Sequence, residues 1–152
     1  MSDSRKLPYI VDSGTTLCYL PPRMSPVIIQ VDCGWLESLT DSVVSPFIEI
    51  AEAINQAFQP AAVYLWMYGA YFTSCNAIPP RISVKLGGIN FFFNPVDLLY
   101  RNMVDPLTGM CMTAIASGGS GPFILGDAFM QNVVAVFDVG EAKIRFIPRE
   151  FY

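Results

Sequence analysis

The chain has 152 residues, enough for one compact domain, and its 53% apolar and 14% charged content implies a large core or an apolar face reserved for a partner. A net charge of −4 with no basic cluster argues against nucleic-acid binding. The absence of histidine excludes Ser-His-Asp and Cys-His nucleophile systems and imidazole-ligated metals, leaving carboxylates, tyrosines, lysines and thiols for acid–base work.

Met1 to Lys6 is polar with no apolar run behind it, so no signal peptide is read there. Pro8 to Leu20 opens on a short apolar run, bends at Asp12-Ser13-Gly14 and resumes, the pattern of strand, tight loop, strand. Arg23 to Ile48 has no clean period. From Glu49 to Phe58, apolar residues at Ile50, Ala53, Ile54, Ala57 and Phe58 fall at helical spacing, and Pro60 is expected to end that helix. Ala62 to Ser74 is rich in Tyr, Trp and Phe and reads as one or two strands. The near-apolar stretch Ala61 to Phe72 is too short to span a bilayer.

Further along, Ile82 to Leu86 and Asn90 to Phe93 flank Gly87-Gly88, a strong hairpin signal. Pro95 to Tyr100 reads as a turn with a short apolar run, Gly109 to Ala116 as a strand and Ser117 to Pro122 as a Gly-rich loop. Phe123 to Leu125 is a short strand, and Asp127 to Gln131 one helical turn. Val133 to Val139 and Lys143 to Ile147 form a last hairpin across Gly140-Glu141-Ala142. The fold class is mostly β with one or two short helices. Cys18, Cys33, Cys75 and Cys111 lack the CxxC spacing of a zinc or redox site, and no metal or cofactor is expected. On spacing alone, Cys75 and Cys111 are either a loop-closing disulfide or two separate buried thiols.

Asp-Ser-Gly by itself is ordinary turn chemistry. Taken whole, however, Ile10-Val11-Asp12-Ser13-Gly14-Thr15-Thr16 resembles the active-site loop of pepsin-like aspartic proteases. Phe123-Ile124-Leu125-Gly126-Asp127, followed by Val134-Ala135-Val136-Phe137-Asp138, resembles the closing strands of the C-terminal lobe in that family. Leu20-Pro21, the helix, Cys75-Asn76 with Pro79, Gly87-Gly88 and Cys111 fall in family order, and the resemblance is to a fungal-type member.

The resemblance implies one lobe of the β-barrel acid-protease fold, carrying Asp12 as one of two catalytic carboxylates. In such an enzyme a water activated between two Asp attacks a peptide bond, with no cofactor, and the partner is a peptide or protein substrate. Thr15 is then expected to hydrogen-bond the outer oxygen of Asp12, Gly14 to let the backbone pass close beneath it, and Ser13 to reach across to a partner loop. Thr16 is expected at the cleft edge, Ile10 and Ala116 in its wall, and Gly126 where a strand crosses behind the loop. Asp127 is expected to cap the following helical turn, Asp138 to end a strand, and Cys75 and Cys111 to form the lobe's disulfide.

Two departures stand out. The sequence holds a single DSG loop and no N-terminal lobe, so residues 1–152 read as a partial C-terminal lobe. Such a chain is expected to be inactive alone, and to need the missing lobe or a second chain. Residues 23–48 read as an insertion where relatives run straight into the helix: an exposed loop, an extra helix or a retained intron. Arg23-Met24-Ser25 can be encoded with a GTATGT splice donor, and Ile48-Glu49 with a TAG acceptor. Two competing functions remain. One is a homodimer of the retroviral-protease kind; the other is a non-catalytic binding module using the remnant cleft, which the aromatic stretch Tyr64, Trp66, Tyr68, Tyr71 and Phe72 favours unless those residues are strand core or lobe interface. A disulfide and pepsin-like ancestry imply secretion or a vacuole.

Overall fold

A computed structural model describes residues 9–20, 29–32, 50–119 and 123–149. Its organising sheet joins the two ends of the sequence. β1 (Tyr9–Val11) runs parallel to β11 (Phe123–Leu125), with Ile10 opposite Ile124. β11 pairs antiparallel with β2 (Cys18–Leu20), and β2 pairs parallel with β10 (Ile115–Ser117). The order β1-β11-β2-β10 therefore threads a strand from late in the chain between two early ones.

A second four-stranded sheet, in the order β4-β5-β9-β8, comprises β4 (Val63–Leu65), β5 (Ala70–Thr73), β8 (Leu99–Val104) and β9 (Cys111–Thr113). β6 (Arg81–Leu86) and β7 (Ile89–Phe92) form a hairpin across Gly87 and Gly88. Both glycines have positive φ (57° and 87°), the two-residue turn that matches strand twist and disfavours any side chain. β3 (Ile29–Asp32), within the segment read as an insertion, pairs antiparallel with β6. β12 (Val133–Asp138) and β13 (Lys143–Pro148) close the chain as a hairpin, with Asp138 at the strand end accepting from the Glu141 amide and Arg145. Among the described residues the architecture is mostly β with two short helices, as expected.

Helix α1 (Ile50–Gln56) buries Ile50, Ala51 and Ile54 against Leu20, Leu98, Ile115 and Phe129 in the main core. The apolar period marks Ile50, Ile54 and Phe58 of that face, whereas Ala53 and Ala57 are only half-buried and Ala51 and Asn55 take their place. The helix stops at Gln56, short of the expected Phe58, because Ala57 N–H turns back to the Ile54 carbonyl in a tighter last turn. Phe58 is nonetheless fully buried. Asn55 is buried on the same face. It donates to the Ala51 and Ile115 carbonyls and accepts from the Thr113 hydroxyl, so its polar cost is offset.

Three elements differ from expectation. The strand expected over Gly109 to Ala116 divides into β9 and β10, because the chain changes sheet at Ala114: its amide continues the β8 pairing at the Leu98 carbonyl, while its own carbonyl accepts from Cys18 N–H of β2. Pro95–Leu98 forms a 3-10 helix capped by Asn94, and β8 follows where only a short apolar run was read. Arg101 to Val104 are exposed on an irregular edge strand, so no apolar alternation marks them. Cys75 and Cys111 do form a disulfide, with Cα atoms 4.9 Å apart, pinning the connection ahead of β6 to β9. The expectations placed on Pro8, Pro21, Cys33 and Pro122 lie outside the described residues.

Candidate active site

β1 delivers Asp12 to the end of the parallel pair, where its amide still bonds the Leu125 carbonyl of β11 at 3.3 Å. The chain then reverses, with Thr15 N–H returning to the Asp12 carbonyl at 3.3 Å. Within that bend the side chain of Asp12 is held at both oxygens. The Gly14 amide donates to Oδ1 at 2.9 Å and the Thr15 hydroxyl to Oδ2 at 2.6 Å. Both donors stabilise the charged form. The Thr15 hydroxyl first, and the Gly14 amide second, hold the Asp12 carboxyl below the usual carboxylate value, against a smaller opposing effect of burial.

The loop is braced from behind. Asp127 N–H donates to the Thr15 carbonyl at 2.8 Å, and Ala128 N–H to the Thr16 carbonyl at 3.2 Å. These donors belong to α2 (Asp127–Met130), a single turn that follows β11 directly. Gly126 lies between strand and helix, so close to the loop that a side chain there would run into the carbonyl oxygens of Thr15 and Leu17. That contact is the physical reason for glycine at this position. Gly126 also takes the N-cap position with no side-chain cap, which corrects the expectation for Asp127. The aspartate is the first helical residue, where its charge favours the helix start without capping it.

Behind the sheet Cys18 is fully buried, and burial pushes its thiol up to about 12. Tyr100, on β8, reaches in from the second sheet and donates its hydroxyl to the Thr16 carbonyl at 3.0 Å. Sequence reasoning missed Tyr100 and the two α2 amides. The amides leave no side-chain signal, and Tyr100 lies on the strand that had no visible period.

A family model described as eukaryotic aspartyl protease matches residues 1–148. The chain belongs to that family. It is 38% identical over 91% of its length to a probable aspartic-type endopeptidase of Aspergillus fumigatus, covering 26% of that protein. It is 26% identical over 90% of its length to an acid protease of Saccharomycopsis fibuligera, covering 27% of it. It is also 27% identical over 76% of its length to gastricsin of Mus musculus, covering 31% of it. The chain thus spans between about a quarter and a third of the curated relatives it matches.

Within this single lobe of the aspartyl-protease fold, Asp12, Gly14, Thr15, Thr16 and Gly126 come together as described, and Ser13 is exposed on the bend. Ile10, two residues before Asp12, is 48% exposed and free to form an apolar surface. Ala116 does not share it. The side chain is 1% exposed and packs with Leu17, Ala70 and Phe72 in a second core cluster, which corrects its placement in a cleft wall. Among the described residues no cluster of three metal-ligating side chains occurs, and no helix is long and apolar enough to cross a membrane. A recess of about 300 Å³ opens away from the loop, lined by Tyr64, Trp66, Met67, Tyr68, Asp105 and Leu107. None of the Asp12 loop contributes to it.

Proposed function

We propose that this chain is the C-terminal lobe of an aspartic-type endopeptidase, and that Asp12 is one of the two carboxylates between which the hydrolytic water is activated. The observation that supports this reading most directly is the seat of Asp12: a carboxylate held at both oxygens, on a bend backed by Gly126, with the loop carbonyls bonded from α2. Such a seat fixes the orientation of the carboxylate and leaves acceptor capacity on both oxygens for a water and a second acid.

A single carboxylate cannot complete the chemistry. With one Asp, nothing of like charge raises its pKa, and every described influence on Asp12 except burial lowers it. The proton that must be donated to the scissile carbonyl therefore has to come from a second Asp, carried on another lobe upstream in the polypeptide or on another chain. Alone, the 152-residue chain is inactive. The substrate is a peptide or protein, and exposed Ile10 favours an apolar side chain near the cut.

The test is proteolysis of a peptide library at acid pH. The isolated chain gives no cleavage at any concentration, whereas the chain joined to an N-terminal lobe cleaves and loses activity in Asp12→Asn. Concentration-dependent, pepstatin-sensitive cleavage by the isolated chain would instead establish the homodimer. We also read residues 23–48 as an insertion, on the family order of the motifs either side. Transcript reads joining Pro22 to the helix would assign it to a retained intron, and full-depth reads across it to the mature protein.

A further inference from the structure

We infer that Tyr100 is a positioning residue for the Asp12 loop, fixing the Thr16 carbonyl from the second sheet and, through the adjoining residue, the Thr15 hydroxyl that holds the Asp12 carboxylate. The inference rests on the reading of Asp12 as catalytic only for its consequence in turnover; its structural part stands alone.

The Thr16 carbonyl already accepts from Ala128 N–H at 3.2 Å, so the phenol at 3.0 Å is not required to rescue an unpaired acceptor. It adds a second restraint from a different direction. α2 holds the loop from the strand behind it, and Tyr100 holds it from β8, which is itself registered on β9 at Leu99–Thr113 and Tyr100–Met112. The ring of Tyr100 packs against both core clusters, so the hydroxyl is aimed by contacts on either side. Burial first, then the nearby Cys18, Asp127 and Asp97, push its phenol well above the ordinary tyrosine value. The group is therefore a constant donor across the acid and neutral range. Thr15 has its own carbonyl bonded to Asp127 and its hydroxyl to Asp12. With the next peptide clamped at Thr16, the Thr15 side chain has little freedom to leave the carboxylate.

The experiment is a carbon-detected NMR titration of aspartate carboxyls in the 152-residue chain, wild type against Tyr100→Phe, with Asp12→Asn assigning the signal. In Tyr100→Phe the midpoint of Asp12 is expected to rise toward the ordinary carboxylate value, while that of Asp105, depressed by its own turn elsewhere, stays put. In a Thr15→Ala background the same substitution is expected to shift Asp12 no further, since the bond it protects is already gone. An unchanged Asp12 midpoint, a parallel rise of Asp105 or additive shifts in the double variant would each overturn the inference, whatever happens to the melting temperature. In a two-lobe enzyme Tyr100→Phe is expected to lower kcat about tenfold with KM unchanged. Should Asp12→Asn leave that enzyme active, the proposed function fails while the titration result survives, so the two failures are distinguishable.

Discussion

Asp12 and Asp105 sit on turns built from the same parts. In Asp12-Ser13-Gly14-Thr15 the carboxylate takes the amide two residues on and the threonine hydroxyl three residues on. In Asp105-Pro106-Leu107-Thr108 it takes the Leu107 amide, the Thr108 amide and the Thr108 hydroxyl. Both carboxyls are held below their ordinary value, each chiefly by its threonine hydroxyl. The difference lies in what surrounds them. Asp105 is 3% exposed and receives a fourth donor, the Tyr68 hydroxyl at 2.8 Å, so its oxygens are occupied and its turn is finished. Asp12 has two donors, partial exposure and a glycine-backed strand behind it. The local motif makes a stable turn in either case. Of the two, the Asp12 turn has the unfilled lone pairs and the brace that the proposed role calls for.

That contrast can be broken at several points. Replacing Cys75 and Cys111 by serine frees the loop closed between them, at a cost of about 4 kcal/mol for the 36-residue separation in the chain-entropy treatment. Urea titration measures the loss, and amide exchange is expected to rise at the Asp105 turn, directly beside Cys111, before the Asp12 loop. Gly126→Ala acts on the other side. Its methyl group meets two backbone carbonyls that cannot rotate away, and a loss of about 3 kcal/mol in the same titration is expected, together with a raised Asp12 midpoint. No equivalent position backs the Asp105 turn among the described contacts.

The threonines sharpen the comparison. Thr15→Ala leaves Asp12 with the Gly14 amide alone, while Thr108→Ala leaves Asp105 with two amides and Tyr68. The upward shift by NMR is expected to be larger for Asp12. The pH dependence follows in sign. Both carboxyls have lowered values in the folded state, so the stability they contribute is complete above the ordinary value near 3.8 and is lost as pH falls through the folded values. Asp105→Asn removes one of these contributions, and a flatter acid limb in melting temperature against pH is expected. Smallest of all is the effect of an alkylating agent at pH 8. Cys18, buried and pushed up to about 12, is expected to remain unmodified in the native chain by peptide mapping.

Much of this was legible in the residues. The Gly87-Gly88 hairpin, the Ile50–Ile54–Phe58 stripe of α1 and the final hairpin carry local signals, because turn geometry and period are written in neighbouring positions. The Asp12 loop was legible as a loop, and as a candidate site only in combination with Phe123 to Gly126, since the bend alone is indistinguishable from that at Asp105. What escaped was non-local or made of backbone. β8 shows no alternation because its outer residues face solvent, and the division at Ala114 depends on two partners distant in sequence, the Leu98 carbonyl in one sheet and the Cys18 amide in the other. Ala116 was misplaced because a small apolar residue reads equally as cavity wall or as core.

The pairing of Tyr9 with Phe123 has a consequence for the timing of biosynthesis. Strands on the order of a hundred residues apart must meet before the bend has anything to rest against, and such closures come late in folding. While the ribosome is still making the middle of the chain, the aspartate is an ordinary solvated side chain on an unsupported turn. The brace behind the Asp12 bend is thus withheld until synthesis has passed Gly126, which makes the shaped loop one of the last features of this sheet to form.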